Sequence, residues 1–113
     1  MLKEIKRRYG INFDLTIEQL RQFYSKERPK GAYGKISSFM KKNGFSHRQW
    51  SGYISDKTMT KSELIDFTMK LHQIFPWLIN CEGSMDATVI TSIFDLKQMI
   101  LDTMNDDIDN MEI

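Results

Sequence analysis

Arg7-Arg8-Tyr9-Gly10-Ile11-Asn12-Phe13-Asp14-Leu15 is the stretch on which the fold turns. Ile11, Phe13 and Leu15 alternate with Asn12 and Asp14, the two-residue period of a strand with one face on a core. Arg8, Asn12 and Asp14 then project from the opposite side of the sheet. An ionised carboxylate in that position needs water, a cation or a hydrogen-bond donor, which singles out Asp14.

Downstream, Thr16-Ile17-Glu18-Gln19 has the form of a capping box and starts a helical turn. Pro29 and Gly31 break that pattern, and Lys26-Glu27-Arg28-Pro29-Lys30 reads as an exposed connection. A longer helix restarts near Gly31, with Tyr33, Ile36, Phe39 and Met40 on its apolar side, Lys35, Lys41 and Lys42 outside, and Gly44 as its stop. Phe45 to Ile54 reads as an irregular strand pair turning at Ser51-Gly52. Thr60-Lys61-Ser62-Glu63 is a second capping box, followed by Leu64, Phe67, Thr68, Leu71 and Phe75 along one helical face until Pro76. After a polar loop at Glu82-Gly83-Ser84, Ala87 to Thr91 has the β-branched composition of a returning strand. Ser92 to Asp95 is a third cap-like start, and Ile93, Leu96, Ile100 and Met104 continue a last amphipathic helix.

The expected order is therefore β-α-β-β-α-β with an extra C-terminal helix, an α+β, ferredoxin-like arrangement around one antiparallel sheet. One domain spans residues 1–104, and the acidic, poorly periodic residues 105–113 read as a frayed tail. A chain of 113 residues, 41% hydrophobic and 27% charged, suits a single globular core. Its longest strongly apolar run, Ile74 to Ile79, is far short of the ~20 residues of a membrane span. The basic start Met1 to Arg8 has no apolar stretch behind it and does not read as a secretory signal, so the expected location is cytoplasmic, with no membrane partner. Cys81 alone forms no internal disulfide, and no phosphate loop or hydrolase nucleophile motif is present.

The net charge of +1 conceals a division. Residues 1–57 hold 13 Lys and Arg against 5 Asp and Glu, a balance of +8; residues 58–113 hold 3 against 10, a balance of −7. A locally basic surface attracts phosphates even when total charge is near zero. Mutual neutralisation of the two halves, within the fold or across a dimer, accounts for the same numbers.

Phe13-Asp14-Leu15, then Ala32-Tyr33 with Ile36, then Gly44-Phe45, resemble in order and in strand-helix layout the bacterial virulence-associated protein D family. Gln49-Trp50-Ser51-Gly52-Tyr53 looks like that family's Gln-Gly-Ser-x-Tyr region, and Pro76-Trp77-Leu78 follows the second helix as the family would place it. The likeness runs from about Phe13 to about Leu96. It implies a small endoribonuclease, related in fold to the CRISPR-associated small nucleases, acting as a homodimer and often encoded as a toxin beside an antitoxin protein. Carried over position by position, the family's strand-end acidic residue falls on Asp14 and its hairpin tyrosine on Tyr53, the two expected catalytic residues.

RNA cleavage needs an activated attacking oxygen and stabilisation of charge on phosphorus. Asp14 serves either as general base or as ligand to a divalent cation such as Mg2+; the plain alternative is that it caps the following turn. Arg8, Asn12, Lys41, Lys42 and Arg48 are the expected RNA-binding residues, with Trp50 and Tyr53 as flat faces for unstacked bases. Aromatics in a short hairpin more often pack the core or a dimer. His47 lies near this basic segment without a located partner, and His72 reads as a packed or rim residue, not a ligand. The alternative function is a catalytically inactive dimeric module that binds nucleic acid or an antitoxin.

Overall fold

Strand β1 (Arg8–Leu15) alternates as its sequence requires: Tyr9, Ile11 and Phe13 are buried, while Asp14 is exposed. The computed structural model describes the backbone of residues 4–49, 52–91 and 95–111, and the side chains of all of these but 49 and 107–111. Within them, β1 is followed by α1 (Ile17–Phe23), α2 (Gly31–Lys42), β2 (Phe45–Gln49), β3 (Gly52–Ser55), α3 (Lys61–Ile74), α4 (Leu78–Cys81), β4 (Glu82–Ile90) and α5 (Leu96–Met111). The strands form one four-stranded sheet in the order β2-β3-β1-β4, with every neighbouring pair antiparallel.

Register places Tyr53 and Ala87 on either side of Ile11, and Met85 beside Phe13. Ile11, Phe13, Tyr53 and the partly buried Met85 meet Ile36 and Met40 of α2, Leu64 and Leu71 of α3, and Leu78 of α4 in the main core. Each fully buried aliphatic side chain there contributes roughly 1.5–3 kcal/mol. A smaller cluster, Leu20, Ala32 and Cys81, ties α1 and α4 to the start of α2. Helices α1 to α4 thus pack against one face of the sheet, and Arg8, Asn12 and Asp14 stand on the other.

Local signals explain most boundaries. Gly44, at φ 83°, takes the left-handed conformation that ends α2. At α3 the capping box is complete: Glu63 N–H donates to Thr60 Oγ1 at 3.1 Å, and Thr60 N–H donates to Glu63 Oε1 at 3.0 Å. The Thr60 N–H bond first, and then a hydrogen bond with the Thr60 side chain, hold the Glu63 carboxyl below its ordinary pKa.

Four expectations change. Thr16 precedes α1 but its side chain makes no capping bond; its backbone N–H instead donates to the Cys81 carbonyl at 3.1 Å, anchoring the chain to α4. Helix α4 itself was not foreseen, because four residues are too few to show a helical period. The expected polar loop at Glu82-Gly83-Ser84 is strand: β4 starts at Glu82, paired with Leu15, because β1 supplies a ladder partner that outweighs weak local propensity. The last helix continues past Met104 to Met111, since no glycine or proline interrupts residues 105–111. Ser92, Ile93 and Phe94 of the third cap lie outside the described residues; Asp95 Oδ1 accepts the Gln98 N–H at 3.0 Å.

Candidate functional site

The open face of the sheet is built from the residues that point away from the core. On β1 these are Arg8, Asn12 and Asp14; on β4 their neighbours are Ile90, Asp86 and Ser84 respectively. Gly52 of β3 lies opposite Asn12. Ser84 Oγ donates to Asp14 Oδ2 at 3.2 Å, and Asn12 Nδ2 donates to Asp86 Oδ1 at 3.4 Å. Asp14 and Asp86 are diagonal cross-strand neighbours, a separation of about 7–8 Å between Cα atoms. Arg8 is half-buried because its Nε donates to the Ser55 carbonyl at 2.9 Å, which fixes the guanidinium at the same face.

Chemically, this is an exposed, acceptor-only carboxylate on an inner strand, held at one oxygen by a hydroxyl. A side-chain amide and a guanidinium follow along the same strand. Asp14 does not cap α1: its described side-chain partner is Ser84, across the sheet. Ser84 and Asp86 were missed in the sequence. Their signal was the alternation of Ser84, Asp86 and Thr88 with Met85, Ala87 and Val89, which extends the strand period upstream of Ala87.

Tyr53 belongs to the opposite face. It is 2% exposed, paired with Ile11, and its ring lies between Phe13 (6.0 Å, 8°) and His47 (4.7 Å, 15°). Burial raises its phenol pKa above 10.0, against a smaller opposing effect from a hydrogen bond with Ser37. Its faces are taken by protein rings, so it is no platform for a base within this chain, and it does not share a site with Asp14.

Lys41 and Lys42 are exposed in the last turn of α2, in the helical layer away from Asp14. Arg48 is exposed at the irregularity between His47 and Gln49 in the β2–β3 ladder. Trp50 lies outside the described residues. Of the expected RNA-binding set, the open face therefore brings Arg8 and Asn12 together with Asp14, whereas Lys41 and Lys42 stand elsewhere.

His72 is a rim residue, as read from the sequence. Its Nδ1 lies 2.8 Å from the Thr68 carbonyl oxygen. Its Nε2 lies 2.9 Å from Glu82 Oε1. Both ring nitrogens are engaged, and neither is free to act on a substrate. Burial first, and then the charge of Glu82, raise the Cys81 thiol pKa, leaving it a poor nucleophile.

Among the described residues, no three His, Cys, Asp or Glu side chains converge as a metal-binding group, and no helix is long and apolar enough to cross a membrane. The sequence matches no protein-family model and no curated protein.

Proposed function

We propose that this chain is an endoribonuclease of the virulence-associated protein D type, with the ferredoxin-like fold that the resemblance implies, working as a cytoplasmic homodimer and as the toxin of a toxin–antitoxin pair. The observation that carries the reading is the position of Asp14: an exposed carboxylate at the end of an inner strand, on the uncovered face of the sheet, with Asn12 and Arg8 behind it. The strand order β4-β1-β3-β2 with antiparallel neighbours, and the β-α-β-β-α-β framework, are consistent with that fold.

In this reading single-stranded RNA lies across β1 and β4. Arg8 and Asn12 hold phosphate and sugar, and Arg48 extends the positive surface along β2. Asp14 takes the proton of the attacking oxygen; that oxygen bonds to phosphorus, the phosphorus bond to the leaving oxygen breaks, and water protonates the departing group. Where a divalent cation such as Mg2+ takes part, Asp14 is the carboxylate that would hold it, and the ion supplies charge stabilisation at phosphorus. Ser84 keeps Asp14 turned to its own strand pair. Tyr53 enters as the packing support of Phe13, one residue before Asp14.

The test is cleavage of labelled RNA by purified protein, with Mg2+ or with chelator, comparing wild type with Asp14→Asn. Loss of cleavage by about 10²–10⁴-fold, with RNA retention unchanged, is expected. Equal cutting by both proteins would falsify the assignment of Asp14.

The separation of Tyr53 from Asp14 onto opposite faces favours one other reading, a dimeric module that binds RNA or an antitoxin without cutting. RNA retention that weakens as salt rises, with no cleavage by wild type under either metal condition, would select it.

A further inference from the structure

Helix α2 carries a glycine that its own packing does not explain. Gly34 stands inside the helix, exposed, and a Cβ built there would meet nothing within 4 Å. Gly31 differs: its Cβ would come within 3.3 Å of the Tyr24 hydroxyl, so a neighbour in the chain already claims that space. An exposed glycine inside a helix is less stable than alanine, and Gly34 has no positive φ that calls for one. What glycine does supply is room for another backbone to come close. Gly34 lines a groove of about 490 Å³, with Lys35, Ser38 and Lys42 on the same helix and the partly buried Phe39 and Phe75 as its apolar wall. Gly31, Gly34 and Ser38 follow one another at i, i+3 and i+7 on one face of α2, a row against which a second helix packs.

Charge and ring geometry narrow the occupant. Residues 24–44 hold 6 Lys and Arg against one acid, Glu27, and residues 67–81, which carry Phe75, hold Lys70 and no Asp or Glu. Just past α2, Asp56 is bonded to Ser46 and followed by Lys57. Among the described residues no acid lines the groove, and Lys35 and Lys42 have no ion-pair partner. The surface is therefore complementary to an acidic one. Phe39 stacks on Phe67 at 5.6 Å and meets Phe75 edge-on at 5.8 Å, and Phe75 is tilted against Trp77 at 5.5 Å. Rings so engaged form a wall for aliphatic side chains and a poor platform for RNA bases. Helix α5 is acidic, but Leu96–Met111 contains no glycine, alanine or serine to answer Gly34 in a close crossing.

We propose that the groove along α2 is a docking site for an acidic amphipathic helix of another protein, with a small residue crossing at Gly34, carboxylates against Lys35 and Lys42, and an aliphatic anchor against Phe39 and Phe75. A groove of this kind reads its helix through anchors at i, i+3, i+4 and i+7. The docking does not depend on whether the chain cuts RNA.

The probe is a displayed library of helical peptides about 20 residues long, with Glu or Lys at the polar positions and Ala, Ser or Leu at the apolar ones, panned on the full chain. Enrichment of Glu-rich sequences with Ala or Ser between Leu anchors is expected. Gly34→Ala should then split two readouts. Its melting temperature should rise by about 3–6 °C, because alanine is the better helix former. Its affinity for an enriched peptide should fall about 10-fold or more, because the added methyl enters the contact. Lys35→Glu/Lys42→Glu should weaken the same peptide by about the same factor, whereas Ile65→Asp on α3, outside this groove, should leave it unchanged. The proposal is overturned by a library that yields no binder or only Lys-rich ones; by enriched peptides that hold Gly34→Ala as tightly as wild type; by a peptide of residues 95–113 that binds as tightly as they do, which gives the groove to α5; or by single-stranded RNA that displaces the peptide, which makes the groove a nucleic-acid site.

Discussion

The two faces of the sheet are drawn from alternate residues of the same strands, yet they obey different rules. On the helix-covered face, Tyr9, Ile11, Phe13 and Tyr53 are 2–3% exposed and sit in the apolar core, where the one buried polar side chain among the described residues, Ser55, accepts the Tyr9 N–H at 2.9 Å. On the open face, one residue along, Arg8, Asn12, Asp14, Ser84 and Asp86 bond to one another or to backbone across strands. A change on the first face alters how much surface leaves water; a change on the second alters which charges and donors a ligand meets. Stability and function are thereby separated by a single step along the chain.

The sharpest way to break this contrast is to empty the covered face. Leu71→Ala, at a site 0% exposed, should cost about 2–5 kcal/mol in denaturant unfolding, with RNA association of the folded fraction unchanged. A cost under 1 kcal/mol would mean that α3 is not seated on the sheet.

Tyr53→Phe keeps the ring and removes the phenol, so a smaller loss of about 1 kcal/mol is expected. Its pH signature carries a sign. Because the folded pKa is raised above 10.0, the tyrosine's contribution is full below pH 10 and is lost as pH rises through the folded value. Wild type should therefore destabilise above pH 10 more steeply than Tyr53→Phe, as read by thermal melts across that range.

Thr60→Ala removes the α3 cap and should also cost about 1 kcal/mol. The Glu63 pKa is lowered on folding, so its contribution is present above its ordinary value of 4.5 and is lost as pH falls through the folded value. Glu63→Gln should flatten that acid-side slope; an unchanged slope would remove Glu63 from the capping account. The smallest effect belongs to the open face: Asp86→Ala should stay within about 0.5 kcal/mol of wild type in stability while altering RNA binding. A large stability loss there would make the open face structural.

What was legible in the sequence followed from strong local signals. The period of β1, the Thr60–Glu63 box and Gly44 each act within a few residues, and the structure has its elements there. Illegible parts were decided at long range. Glu82 to Ser84 join β4 because β1 supplies hydrogen-bond partners some seventy residues away in sequence. Tyr53 looked available because an aromatic in a hairpin faces either side equally well; pairing with Ile11 turned it inward. Asp14 was found by its alternation, but its donor Ser84 was not, since the pair exists only through the β1–β4 register.

The most direct test of the divided sheet uses Asp14→Asn protein with labelled methyl groups, titrated with a short single-stranded RNA. Ile54 and Ile90, which alternate with the inward residues of β3 and β4, should shift, while Ile36 and Leu71 in the core should not. Shifts confined to the helical layer around Lys41 and Lys42, with Ile54 and Ile90 silent, would contradict an RNA site at Asp14.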